Sequence, residues 1–267
     1  MAVTLTVLGS GSGGNCTVLS SARTQVLIDA GFSCKETLRR MAAAGLNAAA
    51  TDAILVTHEH LDHIKGVERL ARVLKVPVFM TEGTHHGWRR WAREKLGPAA
   101  KLARMESFTS GLRFTIGDIT VQSFTIPHDS LDPVGFTFKV EGIKLAVVTD
   151  LGYMPANVAH QLHGCQVLMI ESNHDLEMLR SGPYPWHVKQ RVMSKRGHLS
   201  NEALADFFCA QYDGAAAYVI LAHLSEQNNV PEIARRVAER ALEGWPKLPS
   251  ERLLLASQGK PLQSVRL

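Results

Sequence analysis

The sequence predicts a four-layer α/β sandwich, with two mixed β-sheets packed face to face and helices outside each sheet. Three observations predict it. Short apolar, β-branched runs alternate with helical patterns through both halves of the chain, giving more strand than one doubly wound sheet would hold. Gly117-Asp118 and Glu141-Gly142 read as tight hairpin turns, which makes part of the sheet antiparallel. No Pro- or Ser-rich linker, internal repeat or low-complexity segment interrupts the pattern, so residues 1–267 are read as a single domain.

In chain order, the strand runs are Val3 to Leu8, Gln25 to Asp29, Ala53 to Thr57, Val76 to Met80, Leu112 to Ile116 and Ile119 to Ile126. Gly135 to Val140, Lys144 to Thr149, Val167 to Glu171, Tyr218 to Leu221 and Leu253 to Ala256 complete the series. Helical patterns fall between them at Cys34 to Ala44, Val67 to Leu74, around Gly87 to Leu96, Pro155 to Leu162, Trp186 to Ser194, Ser200 to Phe208 and Val230 to Leu242.

A chain of 267 residues, 45% hydrophobic and 20% charged, has the composition of an ordinary globular protein with one large core. It holds no apolar run of the roughly 18 residues a membrane span needs. The N-terminus lacks the features of a secretory signal, so cytoplasmic residence is expected. Cys16, Cys34, Cys165 and Cys209 are scattered without a paired spacing, and are expected to be buried thiols rather than disulfides or a zinc knuckle. The formal charge of +4 permits a polyanionic partner without demanding one.

Thr57-His58-Glu59-His60-Leu61-Asp62-His63 is the segment richest in chemistry. His58 and His60 are two apart, so at the end of an extended strand they project to one side, while Asp62 and His63 turn away as the chain bends. Imidazole and carboxylate are ligands of zinc, and equally suit manganese or iron. Further ligand-type side chains end later strands: His128 after Ile119 to Ile126, Asp150 after Lys144 to Thr149, and His223 after Tyr218 to Ala222.

H-x-H-x-D-H followed by His, Asp and His at successive strand ends resembles the metallo-β-lactamase superfamily of metal-dependent hydrolases, over essentially the whole chain. The resemblance implies that His58, His60 and His128 hold one divalent ion, that Asp62, His63 and His223 hold another, and that Asp150 bridges them. Asp29 matches an early Asp that supports the metal-bearing loop. Two divalent ions outweigh the charges of Asp62 and Asp150. Such a site would be cationic, would lower the pKa of a bridging water, and would bind an anionic ester. Zinc-type β-lactamases carry Cys where Asp150 stands, and flavodiiron proteins carry Glu where His60 stands, so neither activity is expected. The glutathione-binding extension of glyoxalase II-type thioesterases and the β-CASP insertion of several nucleases are missing.

Gly197-His198-Leu199-Ser200 resembles the His-x-Ser/Thr element of ribonuclease Z-like phosphodiesterases. By that resemblance His198 contacts the scissile phosphate and protonates the leaving oxygen, and Glu171 orients it. Ser200 suits a helix N-cap beside the phosphate. Four further segments are similar to the YycJ-type, exonuclease-like branch: Gly9 to Cys16, Glu171 to Asp175, Tyr184 to His187, and His223 to Asn229. The Gly-rich loop with Asn15 is read as offering free amides to phosphate, and His174 as a substrate contact.

The expected function is therefore a dinuclear zinc or manganese phosphodiesterase acting on nucleic acid as a 5′-to-3′ DNA exonuclease, with hydroxide generated at the ions attacking phosphorus. A small-molecule phosphodiesterase of cyclic-nucleotide type is one alternative, and a non-catalytic, metal-stabilised DNA-binding module is another. For DNA contact, Lys189, Arg191, Lys195 and Arg196 are chosen ahead of Trp88 to Lys95, whose Trp88, Trp91 and Ala92 fall on one helical face and are read as core. A homodimer is expected from the resemblance alone.

Overall fold

The computed structural model describes residues 3–245 and 248–267. Among these, one sheet contains β1 (Thr4–Gly9), β2 (Cys16–Ser20), β3 (Gln25–Ile28), β4 (Thr51–Leu55), β5 (Val78–Met80) and β6 (Met105–Ser107), with β14 (Val265–Arg266) returning to pair with β1. The other contains β7 (Arg113–Ile116), β8 (Ile119–Thr125), β9 (Val134–Val140), β10 (Ile143–Val148), β11 (Val167–Glu171), β12 (Tyr218–Ala222) and β13 (Leu253–Leu255). Their orders are β14-β1-β2-β3-β4-β5-β6 and β13-β12-β11-β10-β9-β8-β7. Both sheets are mixed. Strands β3 to β6 are mutually parallel, as are β10 to β13, and the antiparallel pairs come from hairpins and from β14 returning to β1. Gly117 (φ 55°), Glu141 (φ 51°) and Gly142 (φ 80°) sit at the two expected hairpin turns in the left-handed region such turns require.

Side-chain alternation makes the layers. Ala53 and Leu55 of β4 join Val121, Phe136, Phe138 and Val147 of the opposite sheet in a shared core, while Ile54 and Val56 face the helices. On that outer side lie α1 (Cys34–Ala43), α2 (Leu61–Ile64), α3 (Val67–Leu74) and α4 (Glu82–Lys95), closing over Leu27, Met41, Leu70 and Trp88. Across the molecule are α5 (Ala156–Leu162), α6 (Leu176–Ser181), α7 (Trp186–Val192), α8 (Asn201–Ala210) and α9 (Pro231–Leu242). Of these, α5, α8 and α9 bury Val158, Phe207 and Ala238 against the second sheet. Helix, sheet, sheet and helix are the four layers predicted.

Among the described residues no helix is long and apolar enough to cross a membrane. Cys16 and Cys165 are buried, and burial pushes the Cys165 thiol up to about 12. Cys34 and Cys209 depart from the expectation of buried thiols: Cys34 is half-buried at the start of α1, and Cys209 is exposed near the end of α8. Trp88 is fully buried, as the helical spacing of its segment predicts.

Candidate metal centre

The expected ligands gather along one edge of the sandwich, because β3, β4, β8, β10, β11 and β12 all deliver their carboxyl ends there. Three of those ends are strained: Asp29 (φ 62°), Asp150 (φ 62°) and His223 (φ 55°) hold the left-handed backbone that costs a non-glycine residue about 1–2 kcal/mol. Hydrogen bonds fix each one. The Asp29 amide donates to Leu55 O at 2.7 Å. His223 N–H donates to Ser10 Oγ at 2.9 Å, and its carbonyl accepts from Asn173 Nδ2 at 2.8 Å. Leu151 N, just beyond Asp150, donates to Glu171 Oε2 at 2.9 Å.

Whether these residues suit a metal is decided by where their nitrogens point. The buried carboxylate of Asp29 can only accept, so the Thr57 hydroxyl, 2.9 Å from Oδ2, donates to it. The Thr57 oxygen must then accept from His58 Nδ1 at 3.0 Å, which leaves His58 Nε2 as a bare lone pair. That atom is buried without a hydrogen-bond partner. His63 Nδ1 also donates to Asp29, at 2.8 Å, which makes its Nε2 an acceptor, 3.0 Å from Asn15 Nδ2. His128 Nδ1 donates to Gly197 O at 3.1 Å, turning Nε2 toward His60 Nδ1 at 3.1 Å. His223 Nδ1 donates to Glu171 Oε1 at 2.9 Å. Four imidazoles are thus locked in the tautomer a cation needs.

Among the described residues, four groups each have their donor atoms within 4.8 Å of one another: His58, His60 and His128; Asp62, His63 and His223; His58, His63 and Asp150; and Asp150, Glu171, His198 and His223. Asp150 stands between the first two, with Oδ2 at 3.3 Å from His63 Nε2 and Oδ1 at 4.0 Å from His128 Nε2. The donor set fits two divalent cations. Burial opposes charge on His63 and His223, yet the surrounding carboxylates of Asp29, Asp150, Asp62 and Glu171 raise both well above the ordinary histidine value. A field that favours a proton there also favours a metal ion.

Asp62 opens α2 and is fixed by Asn15, whose Nδ2 donates to Asp62 Oδ2 at 3.2 Å and whose amide donates to Asp62 O at 2.7 Å. The reading of the Gly-rich loop as a phosphate cradle is corrected here. All its amides from Ser10 to Asn15 except that of Ser12 are already bonded: Ser10 N to Ser257 O, Gly11 N to Asn15 Oδ1, Gly13 N to Gln258 Oε1, Gly14 N to Gly11 O and Asn15 N to Asp62 O. The loop braces the site.

Glu171 is fully buried and accepts four hydrogen bonds, from His198 and His223 at Oε1 and from Leu151 and Leu199 at Oε2. Burial alone would raise its pKa, but the pull of His198 and the bonds from both histidines hold it down at about 2. His198 keeps 21% of its side chain exposed, unlike the nearly sealed His58, His63 and His223. Ser200 caps α8, accepting from Ala203 N at 3.1 Å. His174 is buried and bridges to Ser200, its Nδ1 3.3 Å from Asn173 Oδ1; burial lowers its pKa to about 4, and it joins none of the donor groups.

The basic segment chosen for DNA is corrected at one position. Lys189 is buried, with Nζ bonded to Arg180 O at 2.6 Å. Arg191 pairs with Asp129 at 2.5 Å, and Arg196 donates to His128 O at 3.1 Å. Only Lys189 is lost to the interior: Arg191, Lys195 and Arg196 remain exposed, and Lys195 joins none of the ion pairs among the described residues. Two residues near the ligands escaped the sequence reading. Thr57 is the relay to His58. Asp129 places Oδ1 3.6 Å from His60 Nε2 and 3.5 Å from His128 Nε2, and its only signal was adjacency to His128.

Residues 24–224 match the family model described as the β-lactamase superfamily domain. The chain is 39% identical to the exodeoxyribonuclease YycJ of Bacillus anthracis, covering 91% of this chain and 90% of that one. It is 36% identical to the exodeoxyribonuclease WalJ of Streptococcus pneumoniae serotype 2, strain D39, over 85% and 84% of the two chains. Among solved structures, the metallo-β-lactamase fold protein YhfI from Bacillus subtilis superposes with a TM-score of 0.71 at 16% identity, covering 97% of this chain and 99% of the other, a likeness of fold. The chain belongs to the β-lactamase superfamily, in the group of YycJ and WalJ, and is a metal-dependent hydrolase.

Proposed function

We propose that this hydrolase is a dinuclear phosphodiesterase acting on nucleic acid, a 5′-to-3′ exonuclease on cytoplasmic DNA that uses zinc or manganese. The observation that carries the reading is the pairing of a two-cation donor set with His198, the partly exposed histidine beside it. The names of the YycJ and WalJ relatives support the choice of DNA.

His58, His60 and His128 would hold one ion and Asp62, His63 and His223 the other, with Asp150 shared; when bound, the pair supplies positive charge for activating water and for charge developing on phosphorus. The remaining work belongs to the side chains. Glu171 engages Nδ1 of His198 and so presents Nε2 as the nitrogen able to pass a proton to a departing oxygen. Asn15 keeps Asp62 aimed inward. Asp29 holds the tautomers of His58, through Thr57, and of His63.

The test is release of nucleotides from end-labelled, 5′-phosphorylated duplex DNA with manganese or zinc, comparing wild type, Asp62→Ala, His198→Ala and a chelated control. Metal-dependent release by wild type, lost in Asp62→Ala, is expected. Full activity of Asp62→Ala would overturn the mechanism. A second reading, hydrolysis of small diesters, is favoured by the internal bonding of Lys189, Arg191 and Arg196 near the site. It predicts cleavage of bis-p-nitrophenyl phosphate with no release from DNA.

A further inference from the structure

Besides the exposed Arg191, Lys195 and Arg196 near α7, a second group of outward-facing cations lies on α4. His86, Arg89, Arg90 and Arg93 fall at i, i+3, i+4 and i+7 and form one exposed stripe opposite the buried Thr84, Trp88 and Ala92. Among the described residues, none of the ion pairs involves Arg89, Arg90 or Arg93; the helix's own pairs are His85 with Glu82 at 3.9 Å and Glu94 with Lys95 at 2.8 Å. The stripe lines an open cleft of about 730 Å³ whose acidic groups are Glu82 and the already paired Glu94. Arg89 and Pro98 also line an adjoining cleft of about 560 Å³, which extends the basic surface to the exposed Lys101.

This helix is joined to the metal centre. A β-carbon at Gly87 would lie 2.3 Å from Glu59 Cγ, so the backbone of α4 rests directly on the residue between His58 and His60. Thr81 Oγ1 donates to Asp132 O at 3.1 Å, tying the start of α4 to the loop that follows His128. The inner face and the start of α4 are therefore neighbours of the histidine-bearing loops.

We propose that the Arg89-Arg90-Arg93 face is a phosphate track that holds the part of a DNA substrate not being cleaved. The proposal rests on the nucleic-acid reading and extends it. Arg89 to Arg93 spans about 6 Å of helix axis, and single-strand charges are spaced roughly 3.4 Å apart, so the face matches about two or three phosphates. Guanidinium suits this role because its planar fork grips phosphate oxygens.

The experiment compares wild type with the exposed-site variant Arg89→Gln/Arg90→Gln/Arg93→Gln, measuring fluorescence anisotropy of labelled duplex DNA across 50–200 mM salt and turnover of bis-p-nitrophenyl phosphate. Thermal unfolding confirms the fold, and Arg89→Glu/Arg90→Glu/Arg93→Glu gives a second, charge-reversed variant. Each lost contact removes about 0.9 from the slope of log affinity against log salt, so the slope should flatten by roughly 2 to 3. Wild-type affinity should accordingly fall on the order of 30-fold more than the variant's over that salt range. Small-diester turnover should be unchanged. DNA binding by wild type with the same affinity and slope in both variants would overturn the track alone. Small-diester turnover by a wild type that binds no DNA would overturn both the track and the nucleic-acid reading.

Discussion

His198 donates from Nδ1 to Oε1 of Glu171 at 2.8 Å, and that same oxygen takes a second bond from His223 Nδ1 at 2.9 Å. One buried carboxylate thus sets the tautomer of the proposed proton donor and of a proposed metal ligand together. The two roles separate on mutation. His198→Ala should lower kcat on bis-p-nitrophenyl phosphate by about 10²- to 10⁴-fold while metal content stays at the wild-type level. Glu171→Gln should lower kcat and also weaken metal binding by roughly 10- to 100-fold, because His223 loses its anchor. Turnover and metal per chain, measured on the same preparations, distinguish them; equal metal loss in both variants would refute the division.

Asp29 controls His58 indirectly, and Thr57→Val isolates that path. Valine keeps the volume and the Thr57 backbone bond to Asp29 Oδ1, but removes the oxygen that accepts from His58 Nδ1. A buried N–H left without a partner costs about 1–3 kcal/mol, so the ring is expected to turn and forfeit its inward lone pair. Calorimetric titration with zinc should show one of two sites weakened by roughly 10- to 100-fold. Unchanged titration would mean that packing, rather than the Asp29-Thr57-His58 chain, sets the ring.

The histidine cluster was legible in the sequence because its spacing is short and its remaining members stand at apolar strand ends, where periodicity locates them. What supports it was not. Asn15 reads as the end of a Gly-rich turn, and nothing local shows that its side chain reaches Asp62 across 47 positions of sequence. Strand β2 follows that turn and was missed, as were the short β6 and β14, since two or three residues carry no measurable period. Lys189 illustrates the opposite error: a lysine in a basic helical segment looks solvated, and only the packing of α7 against Arg180 O buries it. The four layers were readable from the order of strands and hairpins, and the register between them was not.

Acid should loosen the Gly-rich brace through α1. Glu36 bonds Arg39 and, at 2.7 Å, Arg40, which is buried, stacks on Phe32 and donates to Leu8 O and Gln258 O. These arginines lower the Glu36 pKa from 4.5 to about 2. A depressed carboxylate contributes stability above its unfolded value and loses it as pH falls from about 4.5 toward 2. Glu36 is partly exposed, so solvent screening keeps the effect modest. Glu36→Gln should lower the Tm by about 2–4 °C at pH 7, and the gap from wild type should close as pH falls below 4. A Tm difference that stays constant between pH 7 and pH 3 would show that the charge of Glu36 is not responsible.

Gly31 sets the strictest steric demand at the site. A β-carbon there would lie 1.6 Å from Asp62 O and 2.6 Å from Asn15 N, both backbone atoms that no rotamer change can move. Those atoms already bond each other, Asn15 N donating to Asp62 O at 2.7 Å while Gly31 N donates to Asn15 O at 2.9 Å. Three chain segments meet where only hydrogen fits. Gly31→Ala must push the Asp62 turn outward, breaking the Asn15 bonds and withdrawing Asp62 from His63 and His223. Gly259→Ala is the control, as nothing lies within 4 Å of its added carbon. Soluble Gly31→Ala protein should bind about one metal ion per chain against about two for wild type and Gly259→Ala, by the two-site logic of such hydrolases. Should Gly31→Ala be insoluble, the weaker Asn15→Ala, which removes the side-chain bonds to Asp62, His63, Gly11 and Ser10 but keeps the backbone ones, should still show the selective loss; full metal content in Asn15→Ala would mean that Asp62 needs no brace to serve its ion.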